Sequence, residues 1–154
     1  MPRFFAFFIS LCLLLNAPVS AMDDVLTFQV PGSHYSATRA ALIEAIEAEG
    51  LVVGAIMPFN DMLMRTGEKG VATPFGEAEI FQFCSSGLAW QLVLEAAEQL
   101  AICPMSIAIY ARSGSTGVSL SYRSPGEATL GRRKAAELLR RITTRTTELA
   151  RLRW

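Results

Sequence analysis

Two cysteines, Cys84 and Cys103, carry the strongest chemical signal in this 154-residue chain. Their thiols could form a disulfide, act as a redox pair, bind a soft metal or stay buried and unpaired. Cys84 follows a predicted strand and precedes a predicted helix, whose N-terminal N–H groups would lower the pKa of a free thiol. Cys103 follows that helix, directly before another predicted strand. The elements on either side therefore decide whether the two sulfurs meet.

Residues 1–21 are typical of an export signal. Arg3 supplies a positive charge, an apolar run follows, and small residues at its end suit a signal peptidase. A membrane anchor is the alternative, but the run is about a dozen residues long and a bilayer span needs roughly 20. Cys12 lacks the preceding small residue of a lipoprotein signal. We expect a periplasmic protein with no stable membrane span after signal cleavage.

The remaining residues 22–154 are enough for one domain, and no linker or internal repeat divides them. Without Arg3 the chain carries 13 basic and 14 acidic residues, a balance that disfavours nucleic-acid binding. The charges are nonetheless segregated: from Gly131 onwards the net charge is +6, and from Met22 to Leu130 it is −7. The basic C-terminal segment is expected to dock on the acidic remainder, although an anionic membrane is a second possible partner.

Hydrophobic period and turn residues predict helices interleaved with strands. Strands are predicted at 25–30, 51–57 and 79–84, helices at 36–49, 60–65, 86–100 and from 131 to the end, and a strand hairpin over 105–123. Ser36 is predicted to cap the first helix, and Ser85 or Ser86 the third. Leu88 and Leu92, with Trp90 or Val93, are expected to face inward. The order indicates an α+β fold of two layers, with helices packed on one face of a sheet.

The predicted hairpin has one apolar and one polar face, because apolar and polar residues alternate along both strands. The apolar positions are Met105, Ile107, Ile109, Val118, Leu120 and Tyr122; the others are Ser106, Ala108, Tyr110, Ser119, Ser121 and Arg123. The polar face is either solvated or a shallow binding or dimer surface. Tyr110 and Arg123, with Ser106 and Ser121, are the candidate binding residues.

Three segments together resemble the DUF302 family of bacterial and archaeal domains. They are EIFQFCSSGLAW at 79–90, AICPMSIAIY at 101–110 and VSLSYRSP at 118–125. The resemblance implies a compact α+β domain of the TATA-binding-protein-like kind, often dimeric, with no established activity. Many members have Asn-Pro after the first cysteine and Pro before the second, where this chain has Ser85-Ser86 and Ile102. An apparently exported subgroup with Phe-Cys-Ser and Cys-Pro is more similar.

Exported cysteines usually pair, and closing a loop of about 20 residues would contribute roughly 3 kcal/mol. The helix between Cys84 and Cys103 could return the chain so that the sulfurs meet. In a redox role, Cys84 would be the reactive thiol and Cys103 its resolving partner. A soft-metal site is a third hypothesis, with both thiols and methionine sulfurs as donors: Met57, Met62, Met64 and Met105.

The sequence offers no catalytic constellation, since His34 is the sole histidine and sits in a predicted loop. The leading hypothesis is an exported, non-enzymatic module, without a cofactor, that binds a small ligand or a protein partner and forms a homodimer. A periplasmic thiol redox protein is the alternative, and soft-metal binding the second alternative.

Overall fold

The computed structural model of the protein describes residues 24–68 and 70–153. The predicted signal peptide, and with it the predicted periplasmic location, concerns residues outside these ranges. Within them, no helix is both long enough and apolar enough to cross a membrane.

Strands and helices alternate along most of the chain. In order they are β1 (Val25–Val30), α1 (Tyr35–Ala48), β2 (Val53–Met57), α2 (Phe59–Thr66), β3 (Phe75–Phe83), α3 (Ser86–Glu95), a 3₁₀ helix (Ala97–Ile102), β4 (Met105–Arg112), β5 (Val118–Arg123) and α4 (Leu130–Arg151).

The five strands form one antiparallel sheet in the order β1-β5-β4-β3-β2. β4 is the central strand, and its hairpin partner β5 lies next to it. β1 pairs with the other edge of β5, with Val25 opposite Arg123 and Val30 opposite Val118. Helices α1 and α4 cover one face. The predicted two-layer α+β architecture is confirmed.

The core lies between that face and the two helices. Period-two alternation brings one set of strand residues into it, and the i, i+3, i+4 spacing brings one stripe from each helix. Its members include Phe81, Phe83, Met105, Ile107, Ile109, Val118 and Leu120 from the sheet and Leu42, Ile46, Leu138, Leu139 and Ile142 from the helices. All six residues predicted for the apolar face of the hairpin are buried.

The basic helix α4 docks on the acidic α1, as the charge segregation predicts. Arg141 pairs with Glu49, with 2.9 Å between Nη2 and Oε2, and Arg153 pairs with Glu44. The hydrogen bond from the Arg141 guanidinium lowers the pKa of the Glu49 carboxyl below its usual value. The apolar stripe of α4 therefore packs on this domain.

The Thr-rich segment of α4 has low helix propensity, and two of its threonines are buried. Thr143 Oγ1 donates to the Leu139 carbonyl and Thr146 Oγ1 to the Ile142 carbonyl, both at 2.7 Å. Because these hydroxyls are satisfied within the helix, their burial leaves no unpaired polar atom.

Some predicted details of the helices are wrong. His34, not Ser36, occupies the N-cap of α1, and no side chain caps that helix. The third helix ends at Glu95 rather than near Leu100, because Ala96 is extended and the chain continues as a 3₁₀ helix. Trp90 does not face inward: it is 68 % exposed. Helix α3 packs against the 3₁₀ helix and against α4, and Leu92 is the one residue of α3 that is buried.

Candidate functional site

One face of the sheet is free of α1 and α4, and it carries the residues that the hairpin pattern assigned to it. Ala108 lies opposite Ser121 and Tyr110 opposite Ser119. Ser119 is nearly buried, and its hydroxyl donates to Gln29 Oε1 on β1 at 3.1 Å. The faces of β4 and β5 are therefore those that the sequence predicts.

A groove of about 750 Å³ lies where β4 begins and β5 ends; we call it the sheet-end groove. Three of the four candidate binding residues line it, namely Ser106, Ser121 and Arg123. Ile80, Ile102, Pro104 and Ala108 are among the residues that form its apolar wall. The structure thus brings two hydroxyls, a guanidinium and an apolar surface around one space.

Tyr110, the fourth candidate, does not line the groove. It lies two residues beyond Ala108 on β4, a displacement of roughly 7 Å along a strand. Its ring meets that of Phe75 edge-on, with 5.5 Å between the ring centroids. Tyr110 shares the open face with the groove but is separate from it.

Arg132 also lines the groove, although the sequence assigned it only to the basic C-terminal segment. It lies in the first turn of α4, and its Nε donates to Gln99 Oε1 at 3.1 Å. Its Nη1 donates to the Pro125 carbonyl at 3.0 Å. Both acceptors are neutral. No local sequence pattern could have shown this, because Gln99 lies in the separate 3₁₀ helix.

Gln99 is the buried residue that positions Arg132, since its side chain is fully hydrogen-bonded and only 2 % exposed. Its Nε2 donates to the Leu92 carbonyl at 3.3 Å and to Glu95 Oε2 at 3.5 Å. Its Oε1 also accepts from Thr129 Oγ1 at 3.1 Å. Buried amides of this kind are costly to leave unpaired, so the network holds its members in one arrangement.

Neither arginine of the groove is neutralised by the part of the chain that the structure describes. The ion pairs there involve Arg39, Arg141 and Arg153, and not Arg123 or Arg132. Asp24 is the one carboxylate among the described residues lining the groove. The described residues of the lining therefore carry a formal charge of +1.

Cys84 and Cys103 form a disulfide, with their Cα atoms 5.9 Å apart. This separation lies within the usual range for bridged cysteines. Phe83 pairs with Met105, so the sheet brings the end of β3 beside the start of β4. Between the two cysteines the chain leaves the sheet, forms helix α3 and the 3₁₀ helix, and returns at the start of β4. The bridged state is the one observed among the alternatives that the sequence left open.

The disulfide adjoins both a helix N-terminus and the groove. Ser85, next to Cys84, caps α3, and its Oγ accepts from the Leu88 N–H at 3.4 Å. Cys84 is exposed and Cys103 half-buried. Ile102 and Pro104, the neighbours of Cys103, both line the groove.

Both cysteine sulfurs of the hypothesised soft-metal site are joined in the disulfide, and Met105 is buried in the core. Within residues 24–68 and 70–153, no three His, Cys, Asp or Glu side chains form a group that could hold a metal ion. His34 is exposed at the start of α1.

A second polar cluster, which the sequence did not predict, joins α1 to β3. Glu79 Oε2 accepts from the Tyr35 hydroxyl at 3.0 Å and from Arg39 Nε at 2.7 Å. Burial, followed by the charge of Glu79, raises the pKa of the Tyr35 phenol well above its usual value. The Arg39 guanidinium also lies 5.5 Å from the centroid of the Phe81 ring. Because the charge of Arg39 balances that of Glu79, the cluster is neutral as a whole, and its hydrogen bonds link α1 to β3.

Comparisons with known proteins agree on a family. The model of the family described as "Domain of unknown function DUF302" matches residues 26–149. A solved structure described as an uncharacterized conserved DUF302 protein from Bacillus stearothermophilus superposes with a TM-score of 0.65 and 15 % sequence identity. The alignment covers 84 % of this chain and 99 % of that one, and at this identity it shows the fold. A search of curated proteins finds no match.

Proposed function

This chain belongs to the DUF302 family of domains of unknown function, and we propose that it is an exported, non-enzymatic binding module whose sheet-end groove holds a small ligand. The observation that carries the proposal is the groove itself. Its volume of about 750 Å³ falls within the roughly 300–1,000 Å³ of small-molecule sites. Its lining also follows the usual pattern, in which an apolar wall provides contact area and a few polar groups set orientation.

Filling the groove should abolish binding. Ala108 lies on the open face and lines the groove, so Ala108→Trp would place an indole in the ligand space. Ala40→Trp is the matched control, because Ala40 is exposed on α1, on the other side of the sheet. The probes are benzoate, benzylamine and benzyl alcohol, detected by saturation-transfer NMR on the oxidised protein from residue 22.

We expect at least one probe to receive saturation from the wild type and from Ala40→Trp, and none from Ala108→Trp. Equal signals from the two tryptophan variants would show that the groove is not the site. A wild type that binds none of the three probes would contradict a small-ligand role for the groove.

Self-association is a further part of the proposal, with the open face around Tyr110 as the contact. Tyr110 and Phe75 form an aromatic pair that offers apolar area on the open face outside the groove, and Arg123 lies towards the other end of that face. The double substitution Tyr110→Ser with Arg123→Ser should lower the mass measured by sedimentation equilibrium while the circular dichroism spectrum stays unchanged. An unchanged mass would refute the contact.

A thiol redox role is the second candidate, and the exposure of Cys84 beside the N-cap of α3 favours it. An external thiol that attacks the exposed Cys84 sulfur forms a mixed disulfide with Cys84 and releases the Cys103 thiolate. A second thiol then frees Cys84, whose thiolate the helix N-terminus would stabilise. Titration with glutathione buffers, followed by intact mass, tests this role. A bridge that stays oxidised throughout the range of cellular glutathione potentials would exclude it and leave the disulfide a structural one.

A further inference from the structure

We propose that the ligand of the sheet-end groove is an organic monoanion, a carboxylate on an apolar body, bound through Arg123 and Arg132. This inference rests on the proposed function, because it names the chemical class that the same groove accepts. The guanidiniums supply the charge and the fork of N–H donors that a carboxylate fits, and the wall receives the rest of the molecule.

Arg132 is pre-positioned for such a ligand. Its Nε and Nη1 donate to Gln99 and Pro125, which hold the guanidinium in place without cancelling its charge. Gln99 is itself locked by Leu92, Glu95 and Thr129. An arginine has five N–H donors, so the rest can serve a ligand. A donor held before the ligand arrives loses little conformational entropy on binding.

Arg132 is half-buried, whereas the other arginines of α4 are all exposed. Arg141, on this helix, pairs with Glu49, and Arg153, just beyond its end, pairs with Glu44. Arg132 lies on the same helix, and among the described residues it has no carboxylate within ion-pair distance. Glu95 belongs to the same network but contacts Gln99 and the Gly131 N–H rather than Arg132. A partly desolvated cation without a direct ion-pair partner gains from an anionic ligand.

The charge balance of the groove selects a monoanion. Arg123, the last residue of β5, adds a second positive charge to that of Arg132, and Asp24 contributes one negative charge. A monocarboxylate brings the lining to neutrality, whereas a phosphate dianion leaves an excess negative charge beside Asp24. The wall formed by Ile80, Ile102 and Pro104 favours an apolar body over a bare inorganic anion.

Matched acids and amides test the inference, since each pair has the same shape and differs in charge. The pairs are benzoate with benzamide and hexanoate with hexanamide, titrated into the isotopically labelled, oxidised protein and followed by two-dimensional NMR. Inorganic phosphate is titrated separately. The variants are Arg123→Gln and Arg132→Gln, and Arg151→Gln is the control because it removes an exposed charge from the last turn of α4.

The acids should shift resonances of the groove, and each amide should bind at least roughly tenfold more weakly. Arg123→Gln and Arg132→Gln should each weaken acid binding by a similar factor, and Arg151→Gln should leave it unchanged. Since Arg132→Gln also disturbs the contact with Gln99, the exposed Arg123 is the cleaner variant.

Acid binding as tight in Arg123→Gln as in the wild type would overturn the inference, as would amides that bind as well as the acids. In both of these cases loss of binding in Ala108→Trp would still uphold the groove as a site, so the two proposals fail separately. Phosphate that binds more tightly than either acid would replace the carboxylate by a phosphate ligand. Absence of binding by every probe would refute both proposals.

Discussion

Reducing the Cys84–Cys103 disulfide should lower the free energy of unfolding by about 3 kcal/mol. The bond joins cysteines 19 positions apart in the sequence. For a closed loop of about 20 residues, the chain-entropy relation gives roughly 11 cal/mol/K, which is about 3.3 kcal/mol at 25 °C. The native contribution should be small, because Phe83 and Met105 still pair across β3 and β4 when the bond is open.

Urea unfolding monitored by far-ultraviolet circular dichroism measures the effect. Three samples are compared: the oxidised protein, the same protein in a phosphine reductant, and the variant Cys84→Ala with Cys103→Ala. The reduced protein and the variant should agree with each other and unfold with a free energy about 3 kcal/mol below that of the oxidised protein. Their m-value should also be larger, because an unfolded chain without the cross-link exposes more surface.

Ser85→Ala is the control for this experiment, since it removes the cap of α3 beside the disulfide and leaves the bond intact. It should cost about 1 kcal/mol in the oxidised and in the reduced protein alike. A loss of less than about 1 kcal/mol on reduction would refute the loop-entropy argument. An unchanged m-value together with a large loss would instead place the effect in the native state.

Three further predictions concern polar contacts. Glu49→Gln should destabilise the protein by at most about 1 kcal/mol at pH 7. Because Arg141 lowers the pKa of Glu49, the ion pair stabilises the fold above the ordinary carboxyl pKa, and this contribution disappears as the pH falls through the pKa of the folded state. The urea curves of the variant and the wild type should therefore converge in acid. Gln99→Ala should cost about 1–3 kcal/mol in the same assay, since it leaves buried partners unsatisfied. Tyr35→Phe should reduce the loss of stability that the wild type shows above about pH 10, because burial and Glu79 raise the pKa of the Tyr35 phenol in the folded state and favour its neutral form. A variant that loses as much stability in alkali as the wild type would exclude Tyr35 as the cause.

The hairpin is the part of the fold that the sequence predicts best. Alternation over Met105–Arg112 and Val118–Arg123 is a local signal, and a strand converts it directly into two faces. The helical stripe of α4 is equally local, and its members Leu138, Leu139 and Ile142 are buried in the core. Where a single element carries the pattern, the pattern was sufficient.

The parts that the sequence did not predict depend on contacts between distant segments. Helix α3 was predicted too long, since its end depends on Gln99 turning back to the Leu92 carbonyl. Trp90 or Val93 was expected to face inward because α3 is apolar on several sides, but only one side of it meets α4, and Trp90 lies outside that side. Gly131 permits that meeting, because a Cβ there would lie 2.9 Å from Leu92 Cδ2. Such a close approach is a property of the packed pair and is invisible in either segment alone.

The disulfide and the groove, which the sequence suggested separately, meet in one segment. Cys103 stands between Ile102 and Pro104, and both of these neighbours line the groove. The preceding 3₁₀ helix carries Gln99, which positions Arg132 from the other side. The disulfide thus anchors the C-terminal end of the segment that carries Gln99 and Ile102. This segment forms part of the groove wall and positions Arg132. Since a site works only when its supporting residues are held in place, a structural role for the disulfide and a binding role for the groove support each other.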